Sequence, residues 1–287
     1  GYRSTVFRSD PLNPKTLSDN FTSALYVHSD GNLWVGTQSG LSLYDRHSNS
    51  FTNFLRRGKN AVLSGNYKIY SIVSDGAEGL WLATDYGLMH FDMRTHQFQD
   101  FQHNKDDPNS LRDNLITDMV SDAQRNLWIG TPVGLDKFNP STKTFSHIHL
   151  DVNNRSNLRQ NSIVSLSIDR DQVLWIGSDA GLTKIALNSE KKEIQAFGDA
   201  EGFELAHIQT LYHDKNDTLW IGTINQGLFR FLKSTGKFEQ FRHRPLDPNS
   251  LLHNHVSKIL QDQTGVLWIG TRSSGLSRVD LASGGFS

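Results

Sequence analysis

Apolar and polar residues alternate in short runs along the whole chain, and glycine, asparagine, aspartate or proline separates one run from the next. The runs have the length of β-strands, and no segment shows a convincing helical period. The acidic residues are mostly aspartate, which favours turns, whereas glutamate, which favours helices, is scarce. The pattern therefore predicts an all-β protein with many turns.

The chain repeats itself at a nearly constant period. Its six tryptophans are spaced by 47, 47, 47, 45 and 48 residues. They are Trp34, Trp81, Trp128, Trp175, Trp220 and Trp268. Each lies in similar text, for example "NLWIGTPVGLDKFNP" in the third copy and "VLWIGSDAGLTKIA" in the fourth. The sequence is thus built from six copies of a unit of about 47 residues.

One unit contains four predicted strands. In the third copy these are "ITDMVSD", "LWIGT", "GLDKF" and "FSHIHL", with turn residues between them. Four antiparallel strands in a unit of about 40 to 50 residues are typical of a β-propeller blade. One blade cannot bury both of its faces alone, so neighbouring blades have to stack. We therefore expect a single β-propeller domain, residues 1–287, with six four-stranded blades.

The positions shared by the copies have structural explanations. The tryptophans are expected to fill the space between blades. The residue two places later is small, as if another backbone lay close to it; these residues are Gly36, Ala83, Gly130, Gly177, Gly222 and Gly270. A second glycine fits a turn with positive φ; it is Gly40, Gly87, Gly134, Gly181, Gly227 or Gly275. An aspartate six residues before the tryptophan suits a hairpin turn; it is Asp75, Asp122, Asp169, Asp214 or Asp262, with His28 in the first copy.

The two ends of the chain match in phase. "FRSDPLNPKTL" at 7–17 aligns with "FRHRPLDPNSL" at 241–251, so the N-terminal residues occupy the position of a fourth strand. We expect this strand to complete the sixth blade, with Ser4–Phe7 pairing with the third strand near Leu276–Asp280. In the alternative, the chain is an arc of a larger ring, and residues 1–7 are unpaired or pair with another molecule.

Charge and composition exclude several classes of function. The 29 basic and 30 acidic residues nearly cancel, which gives no indication of nucleic-acid binding. Without cysteine there is neither a disulfide framework nor a thiol nucleophile. No apolar stretch approaches the length of a membrane-spanning helix, so no membrane segment is expected in this chain.

The repeated text resembles a known family. "LWIGTxxGLxxFD", together with "DPNSLRDNLITDM" at 107–119 and "DPNSLLHNHVSKI" at 247–259, is similar to the two-component regulator propeller repeat. The resemblance implies a non-catalytic sensor domain in the periplasm of a Gram-negative bacterium, part of a hybrid histidine kinase or a related diguanylate cyclase receptor. It implies an oligosaccharide or other small-molecule ligand, and signalling domains outside this chain. Family sensors carry about fourteen repeats in two seven-bladed rings, whereas six repeats stand here.

Candidate ligand-binding residues lie where the copies differ. Turns between second and third strands are expected to share a face with the loops that lead into the first strands. Their side chains are amides, charged groups and rings, which can bind the hydroxyls and the apolar faces of a sugar. The candidates are Gln38, Tyr67, Asp85, Tyr86, Arg112, Asp179, His207, Asn225, Gln226, His253 and Arg272. The repeated asparagine before the first strand is interpreted as a turn or cap residue; it is Asn20, Asn66, Asn114, Asn161 or Asn254.

Other interpretations are weaker but stay open. The pairs His147/His149 and His253/His255 have no apparent third metal ligand and are read as surface histidines. A lactonase or lyase propeller is an enzyme alternative, yet the inner-strand position ten before tryptophan offers one carboxylate, Asp118. A protein-binding platform is another alternative, favoured by any exposed apolar patch. We expect no catalytic residues, metal or other cofactor, and a homodimer stays open.

Overall fold

Short antiparallel strands form all regular secondary structure in the described part of the chain. A computed structural model describes residues 5–55, 67–150, 162–179, 181–189, 193–197, 207–280 and 285–286. The residues form two compact units, Gly1–Met119 with Phe138–Ser146, and Val120–Lys137 with His147–Ser287. Within these described ranges there is no helix long and apolar enough to span a bilayer. The expected single domain stays a prediction.

The strands form six four-stranded sheets, each ordered as the strands follow in the chain. The first three sheets contain β1 Thr22–Val27, β2 Leu33–Thr37, β3 Gly40–Asp45 and β4 Ser50–Phe54; β5 Ile69–Ser74, β6 Gly79–Thr84, β7 Gly87–Asp92 and β8 Gln97–Phe101; β9 Asp118–Ser121, β10 Leu127–Thr131, β11 Gly134–Asn139 and β12 Thr144–Ile148. The others contain β13 Ile163–Ile168, β14 Val173–Ser178, β15 Gly181–Ala186 and β16 Ile194–Ala196; β17 Ile208–His213, β18 Leu219–Thr223, β19 Leu228–Leu232 and β20 Lys237–Phe241; β21 Val256–Gln261, β22 Leu267–Thr271, β23 Leu276–Asp280 and β24 Gly285–Phe286. These sheets are the six predicted blades, so the β-propeller class is confirmed.

Within each unit, neighbouring blades pack through the repeated tryptophan and glycine. Trp175 of blade 4 lies in one apolar cluster with Ile208 and Leu211 of blade 5. A Cβ on Gly177 would lie 2.6 Å from Cγ2 of Ile208. Gly36 meets Ile69 at 2.7 Å and Gly222 meets Val256 at 2.6 Å in the same way. The glycine therefore has to be small, as expected, but its closest neighbour is a β-branched side chain and not a backbone.

The second repeated glycine adopts a left-handed backbone in every blade. The φ angles are 132° at Gly40, 105° at Gly87, 152° at Gly134, 122° at Gly181, 83° at Gly227 and 85° at Gly275. At Gly227, an added Cβ would also lie 2.2 Å from the carbonyl oxygen of Phe241. The prediction that these positions need positive φ is confirmed.

The repeated aspartate stabilises the hairpin turn and also binds the indole of the repeated tryptophan. In blade 5, Asp214 Oδ1 accepts the amides of Asn216 and Thr218, each at 2.9 Å, as expected for a turn residue. Its other oxygen, Oδ2, accepts the indole N–H of Trp220 at 2.9 Å. The pairs Asp122–Trp128, Asp169–Trp175 and Asp262–Trp268 repeat this bond. In blade 6, hydrogen bonds from Thr264 and Trp268 lower the pKa of Asp262 to about 2. One carboxylate thus links the hairpin to the buried indole.

Blades 1 and 2 depart from this arrangement. In blade 2, Asp75 Oδ2 lies 2.9 Å from His90 Nε2, and the His90 ring lies 4.5 Å from that of Trp81. In blade 1, His28 stands at the aspartate position. The indole nitrogen of Trp34 is buried and has no hydrogen-bond partner among the described residues. A buried donor without an acceptor lowers the stability of the fold.

Substituting His28→Asp should therefore stabilise the protein. The new carboxylate would accept the Trp34 indole N–H, as its counterparts do in four other blades. We expect the free energy of unfolding to rise by about 1 kcal/mol, measured by urea denaturation. The control His28→Ala removes the imidazole without supplying an acceptor. If both variants gave the same stability, the missing acceptor would not be the cause.

The N-terminal segment lies against blade 1, which corrects the expectation for the ends of the chain. The fourth strand of blade 6 is Gly285–Phe286, which pairs with β23. Residues 5–7 belong to no strand, and Ser4 lies outside the described residues. The ring of Phe7 contacts Tyr44 and Phe51, each at 5.3 Å. Phe7 does occupy the position of a fourth-strand residue, as predicted. Phe101, at the end of the fourth strand of blade 2, contacts Phe138 and Phe145 of blade 3 in the equivalent way. The predicted pairing with Leu276–Asp280 is wrong for residues 5–7, because none of them belongs to a strand and Phe7 packs on blade 1.

Candidate functional site

Main-chain hydrogen bonds fix the turn between the second and third strands beside the start of the first strand. The bonds join Gln38 N to Phe21 O at 3.0 Å, Asp85 N to Lys68 O at 3.3 Å, Ile224 N to His207 O at 3.0 Å and Arg272 N to His255 O at 3.2 Å. In these four blades the two segments therefore share one face, as the sequence predicts. We call this face the rim.

The repeated asparagines hold the loops that lead to the rim. The side-chain oxygen of Asn114 accepts the amide of His103 at 2.7 Å, and that of Asn254 accepts the amide of His243 at 2.8 Å. Asn20 accepts the amide of Ser9 at 2.7 Å. The carbonyl of Asn114 also accepts the amide of Gly87 at 2.7 Å. These three asparagines are structural, as interpreted, whereas Asn66 and Asn161 lie outside the described residues.

In the first compact unit, the rim carries a group of aromatic and charged side chains on blades 1 and 2. Lys68 Nζ lies 4.4 Å from the ring centroid of Tyr70 and 5.9 Å from that of Phe21. Asp85 Oδ1 accepts the amide of Lys68 at 2.9 Å. The ring of Tyr86, in the same turn as Asp85, is exposed. We call these five residues the aromatic patch.

The electrostatics of the aromatic patch keep its phenol protonated. Burial and then the negative charge of Asp85 raise the pKa of Tyr70 above its usual value. Tyr70 therefore stays a neutral hydrogen-bond donor at any physiological pH. The Phe21 side chain is 63% exposed, which is unusual for a phenylalanine in a monomeric fold. The patch combines exposed ring faces with one ammonium, one phenol and one carboxylate.

The sequence candidates in this unit have three different outcomes. Asp85 and Tyr86 belong to the aromatic patch. Gln38 is exposed and Arg112 is half-buried at the rim. Tyr67 is only 3% exposed and packs in the core cluster with Ile69 and Ile72. It fills the space beside Gly40 and is not part of an open surface.

In the second unit, the rim candidates form smaller groups. Asp179 Oδ1 lies 3.9 Å from His207 Nδ1. His253 Nδ1 accepts the amide of His255 at 2.9 Å. Burial first, and then the electrostatic effects of Arg272 and His253, lower the pKa of His255. Asn225 is exposed, and the backbone carbonyl of Gln226 accepts Gln240 Nε2 at 3.0 Å. Arg272 thus supplies the positive charge of the rim at blade 6.

Sequence comparison among the copies missed Phe21, Lys68 and Tyr70. Phe21 and Lys68 both stand thirteen residues before the tryptophan of their blade, where His207 and His255 stand in blades 5 and 6. This position varies as much as the turn does, and its carbonyl accepts the bond from the turn. Because this position varies between the copies, a comparison that included it would have identified Phe21 and Lys68 as rim residues.

The histidine pair at 147 and 149 does not form a site. His147 Nδ1 lies 2.7 Å from Oδ1 of Asp136, a fully buried carboxylate, so His147 is a structural residue and not a free surface histidine. His149 is exposed.

The inner-strand carboxylate Asp118, considered for the enzyme alternative, is half-buried.

Three carboxylates do meet at the opposite end of the blades from the rim. Oxygens of Asp169, Asp171 and Asp217 lie close enough to hold a cation. The ammonium of Lys233 lies among them, 2.6 Å from Asp217, 3.0 Å from Asp171 and 3.7 Å from Asp169. Burial opposes its charge, but the hydrogen bonds that the ammonium donates to Asp217 and Asp171 outweigh burial and raise the pKa of Lys233. A protein cation therefore neutralises this group and joins blades 4 and 5.

Comparison with known proteins identifies the repeat. The model of the two-component regulator propeller family matches residues 16–39, 110–132, 157–180, 202–225 and 250–273. The chain therefore carries the repeats of this family, in blades 1, 3, 4, 5 and 6. Blade 2 is the copy with Ala83 in place of the first glycine. No characterised protein sequence matches the chain.

Solved structures share the fold. The extracellular domain of a putative hybrid two-component system from B. thetaiotaomicron is 26% identical, with a TM-score of 0.75 over 94% of this chain and 35% of that one. The extracellular domain of a putative one-component system from the same organism is 24% identical, with a TM-score of 0.64 over 90% and 38% of the two chains. This chain thus spans about a third of the length of those domains. Virginiamycin B lyase from Staphylococcus aureus, at 13% identity and a TM-score of 0.68, covers 96% of this chain and 86% of its own, and shows the fold alone.

Proposed function

We propose that this chain is the non-catalytic, ligand-binding part of an extracytoplasmic sensor, and that it binds an oligosaccharide at the aromatic patch. The carrying observation is the grouping of Phe21, Lys68, Tyr70, Asp85 and Tyr86 on one rim. Similarity to the extracellular domain of a putative two-component system supports the sensor role. The five repeat matches support the same family context.

The chemistry of the aromatic patch suits a sugar. Apolar faces of pyranose rings pack on aromatic rings, and Phe21 and Tyr86 offer exposed faces. Hydroxyl groups need donors and acceptors, which the Lys68 ammonium, the neutral Tyr70 phenol and the Asp85 carboxylate supply. We propose that this set binds the ligand and releases it unchanged.

The proposed location is the periplasm, with output through signalling domains elsewhere in the receptor. The signal would be a change in the arrangement of blades or subunits on binding, without a chemical step. A ligand can shift such an arrangement only by its difference in affinity for the two states. Binding in the patch touches blades 1 and 2 together, so a change in their packing alters the affinity directly.

Tyr86→Ala should weaken oligosaccharide binding by about tenfold, which corresponds to about 1.4 kcal/mol. The substitution removes an exposed stacking face without disturbing buried residues. Affinity is measured by isothermal titration calorimetry with the oligosaccharide that gives the largest thermal shift in a panel. Val133→Ala is the matched control, because Val133 occupies the same turn position in blade 3 and is equally exposed.

The affinities of these variants also show which part of the rim binds the ligand. Equal affinities of Tyr86→Ala, Val133→Ala and the parent protein would exclude the aromatic patch. Loss of binding with Arg272→Ala and not with Tyr86→Ala would move the site to the rim around Arg272 on blade 6. Absence of any thermal shift across the panel, with a shift from a protein partner, would favour the interaction-platform alternative.

A further inference from the structure

The junction between blades 4 and 5, both in the second compact unit, contains a histidine at a position that is neutral in the other blades. Seven residues before the tryptophan, blade 5 has His213. The residues at this position in the other blades are Val27, Ser74, Ser121, Ile168 and Gln261. His213 Nδ1 lies 2.6 Å from Oγ of Ser167 on the first strand of blade 4, and its ring lies 6.4 Å from that of Trp175. The imidazole thus joins the two blades.

The surroundings of His213 fit a neutral imidazole. Its Nε2 is buried and has no hydrogen-bond partner among the described residues. A neutral ring satisfies this environment when Nδ1 donates to Ser167 and Nε2 carries only its lone pair. An imidazolium would place a charged N–H at Nε2 without an acceptor, which costs far more than an unused lone pair. Burial accordingly lowers the pKa of His213.

The charged groups that face His213 already bind other donors and acceptors. They are three carboxylates and one ammonium, Asp169, Asp214, Asp217 and Lys233. Asp169 and Asp214 each accept the indole N–H of their own blade, at 3.1 and 2.9 Å. Asp217 accepts the Lys233 ammonium at 2.6 Å. An imidazolium that turned towards these carboxylates would compete with the donors that hold the two blades in place.

The ion pair of the junction keeps its charges in weak acid. Burial opposes both charges of the Asp217–Lys233 pair, but the hydrogen bond between them outweighs burial. This bond lowers the pKa of Asp217 and raises the pKa of Lys233. A fall in pH from neutrality therefore acts on His213 before it acts on this pair.

We propose that His213 is a proton-binding switch, which keeps the junction of blades 4 and 5 closed while the imidazole is neutral and opens it when the imidazole is protonated. In the open junction the ring reaches water and has the ordinary histidine pKa of about 6.5. The closed junction binds the proton less well, so its stability falls as the pH drops below that value. Acidity is then a second input to the sensor, which acts on the packing of the blades and needs no ligand at the rim.

Amide hydrogen exchange, followed by mass spectrometry without added ligand, tests the switch at about pH 7.5 and about pH 5.5 after correction for the intrinsic rates. In acid, peptides from β13 and β17 should lose several-fold more protection than peptides from β22. His213→Gln, which introduces the side chain that blade 6 has at this position, should abolish the extra loss. His149→Gln is the matched control, because it removes an exposed imidazole of the same unit and should keep the extra loss.

Two results would overturn the proposal. Equal losses of protection in β13, β17 and β22 would show a general effect of acid on the fold. An extra loss that persists in His213→Gln would show that another group takes up the proton. If His213→Gln does not fold, the comparison of peptides within the parent protein decides between a local opening and a general one.

Discussion

Gly222→Ala should destabilise the fold by about 1 to 3 kcal/mol, because it overpacks a buried contact between blades. The new methyl group would lie 2.6 Å from Val256 Cγ1 and 2.7 Å from Thr210 Cγ2. Both neighbours are held by their own strands, and β-branched side chains have few alternative rotamers. The midpoint of guanidinium denaturation, with an unchanged slope, measures the loss.

Gly270→Ala is the matched control for this prediction. It changes the equivalent glycine of another blade, yet the nearest atom to a Cβ at Gly270, Ser257 Oγ, lies 3.3 Å away. Both substitutions reduce the entropy of the unfolded chain equally, so that contribution cancels in the comparison. We expect Gly270→Ala to change the free energy of unfolding by less than about 0.5 kcal/mol. Equal losses in the two variants would show that contact with the next blade does not set the requirement for glycine.

Asp214→Ala should cost about 2 to 4 kcal/mol of unfolding free energy. It removes the acceptor of the Trp220 indole, which is 1% exposed and cannot turn to water. It also releases the amides of Asn216 and Thr218 in the hairpin. Chemical denaturation followed by tryptophan fluorescence measures the loss and reports on the environment of the indole.

The same substitution in blade 6 provides the comparison. Asp262 makes the equivalent bonds to Trp268, Thr264 and Val266. Trp268 is only half-buried, so water can replace the lost acceptor. Asp262→Ala should therefore cost clearly less than Asp214→Ala. If the two cost the same, the hairpin amides and not the buried indole would dominate the effect.

The sequence predicts the framework well, because each framework position appears six times. Repetition identified the blades, the positive φ of the turn glycines and the need for a small residue after the tryptophan. It did not show that the aspartate binds the indole, because a spacing of six residues gives no side-chain direction across a hairpin. It identified Phe7 as equivalent to a fourth-strand residue but assigned it to the wrong blade, because the position of a residue within the repeat does not specify which blade it packs against.

The candidate site could be predicted only in part. Asp85 and Tyr86 were found because the copies differ there. Tyr67 was included on the same ground, although the structure buries it beside Gly40. Variation between copies does not distinguish an exposed side chain from one that fills a local gap. Lys68 was missed because its contact with Phe21 joins two blades and no single repeat contains it. Tyr70 was missed because only its contact with Lys68 links it to this group.

The rim turns are held by their main-chain atoms, and this has an evolutionary consequence. Because Asp85 N bonds Lys68 O, and Arg272 N bonds His255 O, the turn keeps its place whatever side chains it carries. Mutations at these positions are therefore nearly neutral for folding. Duplicated repeats can then diverge at the rim one blade at a time, and a lineage can acquire a new recognition specificity without passing through unstable intermediates.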